Sequence, residues 1–68
     1  MKISARNQLK GIIKSVKKGQ TTAHVEIDAN GTTITASITN ESVDALGLKA
    51  GQAAYAVIKA SDVMVAID

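Results

Sequence analysis

Six side chains that could donate hydrogen bonds to an anion recur in three short pairs. Ser4 and Arg6 stand two apart, Thr39 and Ser42 three apart, and Lys59 and Ser61 two apart. On an extended segment a residue and its second neighbour project to the same side. Ser4 with Arg6, and Lys59 with Ser61, would therefore each aim a hydroxyl and a cation in one direction. Thr39 and Ser42 fit the first turn of a helix, where hydroxyls stand beside free backbone N–H groups at the positive end of the dipole. A fully deprotonated tetrahedral oxyanion only accepts hydrogen bonds, so hydroxyl, N–H, guanidinium and ammonium groups are the partners it needs. Two of the pairs also have a plainer reading: Thr39 as a helix cap, Ser42 as a first-turn residue and Lys59 as a solvated lysine. The stretch SARNQLKG, from Ser4 to Gly11, holds no acid. It would suit an extended segment offering donors to an anion, or a basic amphipathic helix on nucleic acid or membrane. Asp62, the carboxylate nearest to Lys59 and Ser61, is expected to point away from a bound anion.

Other chemistries find less support. Catalysis by a nucleophile needs a base beside it, and the single histidine, His24, reads as a solvated residue with no motif around it, so no enzyme is expected. Without cysteine and with one histidine the chain cannot assemble a zinc site. The five glycines stand singly, so there is no phosphate-cradling loop. Single-strand nucleic-acid binding relies on aromatic stacking platforms, and Tyr55 is the only aromatic. Charge is uneven: Lys2, Arg6, Lys10, Lys14, Lys17 and Lys18 precede the first acid, Glu26, while the net charge of the whole is only +2. Such a split makes a basic face for anions or for the acidic part of a neighbour. No apolar run is long enough to span a membrane and the start lacks the apolar stretch of a signal peptide, so a cytoplasmic protein is expected.

The elements that must position these residues read as mostly β. In HVEIDANGTTITAS, Asn30-Gly31 sits between two alternating stretches, the signature of a tight hairpin. Pairing Ala29 with Thr32 sets Ile27 against Ile34, Val25 against Ala36 and Ala23 against Ile38, with one side apolar and the other polar. TNESVDALGLKAG predicts a helix of about two turns, capped at Thr39 or Asn40, burying Val43 and Leu46 on one face and stopped by Gly47. AAYAVIKA and VMVAI predict two further strands, apolar on both faces and so requiring cover on both. The first segment is ambiguous. Leu9, Ile12, Ile13 and Val16 have helical spacing, but Gly11 and the Lys-Lys-Gly-Gln turn favour a strand, with Gly11 as its bulge and the cations at every fourth residue on one face. The sum is one all-β domain over residues 1–68, a five-stranded Greek-key barrel of the oligonucleotide/oligosaccharide-binding type with one short helix. Its core is too small to stand alone without disulfide or metal, so oligomerisation is expected.

Three motifs in combination carry a resemblance to a known family. SARNQLKG, the Ile38-Thr39 and Ser42 that open a short helix ending in LGL, and IKASDVM near the end are together similar to the molbindins, the small Mop proteins. The similarity runs from Ile3 to Val65. The resemblance implies a homohexamer, a trimer of dimers, that binds molybdate or tungstate between subunits for intracellular molybdenum storage, with no further cofactor. It implies Ser4 and Arg6 from one subunit and Thr39, Ser42, Lys59 and Ser61 from its partner, so that Arg6 and Lys59 would face each other across a subunit boundary. A second type of site near the threefold axis, built from backbone groups, leaves no residues to assign. The module also occurs in molybdate-responsive regulators and transporter ATPases; nothing is attached to it in this sequence, which points to the storage form. The alternatives are a nucleic-acid-binding or regulatory module of the same barrel type, and an assembly module whose anion sites go unused.

Overall fold

Asn30 and Gly31 take φ of 54° and 91°, the left-handed pair that a two-residue hairpin turn needs, and Asp28 Oδ1 accepts from the Gly31 N–H at 2.9 Å. The strands on either side follow the register that their alternation dictates, from Ala29 opposite Thr32 to Thr22 opposite Thr39. The computed structural model describes all of residues 1–68. Its elements are β1 (Asn7–Lys18), β2 (Thr22–Ala29), β3 (Thr32–Thr39), α1 (Asn40–Leu46), β4 (Ala53–Ile58) and one 3₁₀ turn, Ala60–Asp62. The four strands form one antiparallel sheet in the order β3-β2-β1-β4.

The ambiguous first segment is a strand, but its bulge is not at Gly11. Ile13 pairs with Ile27 and Ser15 with Glu26, which leaves Lys14 as the extra residue. The bulge switches parity: Ile13 before it and Val16 after it both face the core, and that shift mimics the i, i+3 spacing of a helix. It also breaks the expected single face of cations. Lys10 pairs with Tyr55 on the outer side, whereas Lys18 falls opposite the buried Ala23 and reaches Asp44 of α1. Gly11 answers a different need. A Cβ there would collide with the Asp28 carbonyl oxygen and sit 2.9 Å from Ile27 Cγ2, so the glycine permits close approach of β2.

Thr39 caps α1 by accepting from the Ser42 N–H at 3.0 Å, and Gly47 ends it at φ 64°. Val43 is buried, but Leu46, expected beside it, is exposed at the rim of an apolar cleft. The core proper is small: Ile13, Ala23, Val25, Ile27, Val43 and Ala56. The accessible surface is 5361 Å², where a closed domain of this size exposes about 4,000 Å². The excess has two visible sources.

The expected fifth strand is absent. From Val63 onward the chain forms no ladder, and Met64, Val65 and Ile67 are each more than 90% exposed. A strand is defined by its neighbours, and this segment has none within its own chain. The second source is the place it leaves open. Edge strands β3 and β4 face one another across an apolar cleft of about 520 Å³, walled by Ile34, Ala36 and Ile38 on one side and Ala54, Ala56 and Ile58 on the other. The outer side of β4 is uncovered too, with Tyr55 and Val57 exposed alongside Ile12 of β1.

Candidate functional site

The β1/β4 ladder ends where Asn7 meets Ile58, and Asn7 Nδ2 fastens that end by donating to the Ile58 carbonyl at 3.3 Å. Arg6 and Lys59 are the next residues along each segment past this last pair, with Ser4 and Ser61 two further on. Here both segments leave the sheet and a cleft of about 620 Å³ opens between them. Ser4, Arg6, Lys59, Ser61 and Asp62 line it, with Ile3 and Val57 as apolar walls. Two of the three predicted pairs are thus brought together by strand pairing inside one chain. Arg6 and Lys59 of one chain therefore line one cleft, where the expectation set them on opposite sides of a subunit boundary. The ends of β1 and β4 had to pair for it to happen, and pairing between non-consecutive strands is not marked in either segment's periodicity.

The 3₁₀ turn after β4 shapes the cleft's far wall. Its N-cap is Lys59, extended at φ −62° and ψ 133°, and the Asp62 N–H donates to the Lys59 carbonyl at 2.9 Å. This tight return carries Ser61 and Asp62 back toward Lys59. Asp62 therefore lies among the residues that line the cleft. A residue three after Lys59 in a straight strand would face the opposite side, while a 3₁₀ turn places i and i+3 in line.

Charge in the cleft is open. No side chain of Ser4, Arg6, Lys59, Ser61 or Asp62 makes a hydrogen bond or ion pair within the chain; the one ion pair joins Lys18 to Asp44. A guanidinium, an ammonium and two hydroxyls stand exposed with their donors unused. That donor set matches a small oxyanion. No group of three His, Cys, Asp or Glu side chains converges to hold a metal cation.

The third pair lies elsewhere. Thr39 Oγ1 donates to Ser42 Oγ at 2.8 Å while accepting from the Ser42 N–H, so the Ser42 hydroxyl hydrogen is free to point outward. Asn40 fixes this corner by donating from Nδ2 to the Gly19 carbonyl at 2.9 Å and from its backbone N–H to Thr21 at 2.8 Å. Thr39 and Ser42 are not part of the cleft. They sit near the Lys18 end of β1, held there by Lys18 and Asp44, whereas the cleft opens at the Asn7 end. Roughly 35 Å of strand lies between. No single small anion can touch all six residues of one chain.

Comparison with known proteins decides the kinship. Residues 3–65 match the TOBE domain. The chain belongs to the TOBE-domain family. Within it the chain falls among the Mop proteins: it is 52% identical over 66 residues to molybdenum-pterin-binding protein 1 of Clostridium pasteurianum, covering 96% of this chain and 97% of that one. The fold agrees with a molybdate-binding protein from Sporomusa ovata at TM-score 0.94 and 39% identity, over 98% of this TOBE chain and all of the other. It also matches ModG, described as a cytoplasmic molybdate-binding protein, at TM-score 0.89 and 46% identity; there it covers 94% of this chain but 46% of ModG, so one TOBE unit here corresponds to about half of that protein.

Proposed function

We propose that this TOBE chain binds molybdate reversibly, as a storage or buffering protein and not as a catalyst. The observation that carries the reading is the cleft in which Ser4, Arg6, Lys59 and Ser61 converge with no partner of their own. Relatives named for molybdenum-pterin binding and a structural neighbour named for molybdate binding supply the identity of the anion. Tungstate, a tetrahedral dianion of nearly the same size, fits the same donors. Residues 1–68 act as one such domain. No helix is long and apolar enough to cross a membrane, and the cytoplasmic description of ModG supports the same location here.

The working form we propose is a homohexamer, a trimer of dimers, in which Thr39 and Ser42 of a partner subunit complete the cleft. The distance between the two donor groups within one chain supports this, since only a second chain can bring the missing pair to the anion. Two separate uncovered surfaces support it as well. The apolar cleft between β3 and β4 is open, and each chain carries an apolar tail, Val63–Asp68, of a length to fill one. The outer patch of Ile12, Tyr55 and Val57 is a second surface, and two kinds of interface build assemblies larger than a dimer.

Native mass spectrometry with and without molybdate tests the reading. The expected result is a hexamer that gains mass in molybdate increments, with a melting temperature that rises with molybdate concentration. A folded monomer at micromolar concentration that ignores molybdate overturns it. Tight binding of single-stranded oligonucleotides that survives high salt would instead favour a nucleic-acid module.

A further inference from the structure

Asp62 is the one acid in the cleft, and its carboxylate accepts no hydrogen bond within the chain. Its position is set by the backbone of the 3₁₀ turn, which leaves the side chain without a capping role. Arg6 and Lys59 lie in the same cleft and neither closes an ion pair with it. The cleft thus holds two cations and one anion, all unpaired. A site intended only to hold a dianion as firmly as possible would omit that carboxylate, because it repels the ligand and competes for the donors.

We propose that Asp62 is a specificity-determining residue of the oxyanion cleft, which loosens the hold on proton-free dianions and gives a protonated oxyanion the acceptor it needs. The inference rests on the anion-binding reading given above. Molybdate and sulfate at neutral pH carry no proton, so they meet Asp62 as a like charge. Hydrogen phosphate carries one and can donate it to the carboxylate. Removing the charge should therefore tighten molybdate and sulfate while leaving phosphate unchanged or weaker. In an open, solvated cleft one charge acting on a dianion changes affinity by about three- to tenfold after screening.

The test is calorimetric titration of the intact assembly with molybdate, sulfate and phosphate in low salt, repeated at high salt. The proteins compared are the unaltered chain, Asp62→Asn, Asp62→Glu, Asp68→Asn and Arg6→Ala. Asp62→Asn is expected to bind molybdate and sulfate about three- to tenfold more tightly, with a gain that shrinks in high salt, and to show no gain for phosphate. Asp62→Glu, which keeps the charge, should stay close to the unaltered protein. Asp68→Asn removes the same charge outside the cleft and should change nothing. The inference is overturned if Asp62→Asn binds molybdate no more tightly, if it tightens phosphate equally, or if Asp68→Asn has the same effect. If the unaltered protein does not bind molybdate and Arg6→Ala changes nothing, the anion-binding reading itself falls and takes this inference with it. Molybdate binding that depends on Arg6 but not on Asp62 removes the inference alone.

Discussion

Arg6 and Lys59 share one cleft because each is the first residue past the same end of one ladder. Their charges are exposed and unpaired, so their removal should affect ligand far more than fold. A charge-assisted hydrogen bond contributes roughly 1.5–3 kcal/mol, so Arg6→Ala or Lys59→Ala is expected to weaken molybdate binding by about ten- to a hundredfold, with melting of the ligand-free protein nearly unchanged. Titration calorimetry and thermal unfolding check the two halves. Gly11 should behave in the opposite way. Alanine there drives a methyl group into the Asp28 carbonyl and Ile27, and the backbones of β1 and β2 must separate to admit it. We expect Gly11→Ala to destabilise the fold by about 1–3 kcal/mol in denaturant unfolding, whether or not anion is present. The sequence pointed to Gly11 as special but for the wrong reason, since a bulge and a close backbone approach both favour glycine and only the paired strand distinguishes them. The donors Ser4, Arg6, Lys59 and Ser61 were legible as pairs from their spacing. Their union was not, because it depends on which strand lies beside which.

The hairpin and helix illustrate what local chemistry can announce. Asn30-Gly31, period-two alternation and a Gly47 stop each rest on residues within a few positions of one another and stand in the structure as read, and of the two caps the sequence allowed, Thr39 and Asn40, it is Thr39 that caps α1. The bulge at Lys14 was hidden because any residue can occupy one; its trace was the parity switch between Ile13 and Val16, which also resembles a helix. VMVAI has the composition of a strand but not the partner, and strand propensity expresses itself only on a neighbouring edge. At α1 the cap and the site are separable. Thr39→Ala should cost about 1 kcal/mol of stability by freeing the Ser42 N–H, seen as a lower denaturant midpoint in the ligand-free protein. Ser42→Ala leaves that cap bond in place and should act mainly on molybdate affinity. A Ser42→Ala variant with unchanged affinity would sever α1 from the proposed site.

At the scale of the assembly, the two donor groups lie at opposite ends of β1, which makes subunit mixing informative. Hexamers reassembled from Arg6→Ala and Lys59→Ala chains should contain no site free of both lesions except where one chain's cleft is untouched, and neither chain has one. Mixing Arg6→Ala with Ser42→Ala chains should instead restore some intact sites, each pairing the sound cleft of a Ser42→Ala chain with the sound helix of an Arg6→Ala chain. Recovery in the first mixture and not the second would reverse the proposed division. Deleting Val63–Asp68 should leave β1–β4 formed by circular dichroism yet abolish the proposed hexamer in sedimentation, because the cleft between β3 and β4 loses the segment proposed to fill it. The same exposed tail has a consequence in time as well as in structure. If the last apolar segment finds its place only on another molecule, a single chain cannot complete its own folding, and the closing step is a collision. Refolding from denaturant should then show one phase whose rate constant is fixed and a later one that quickens in proportion to protein concentration, and the truncated chain should retain only the first.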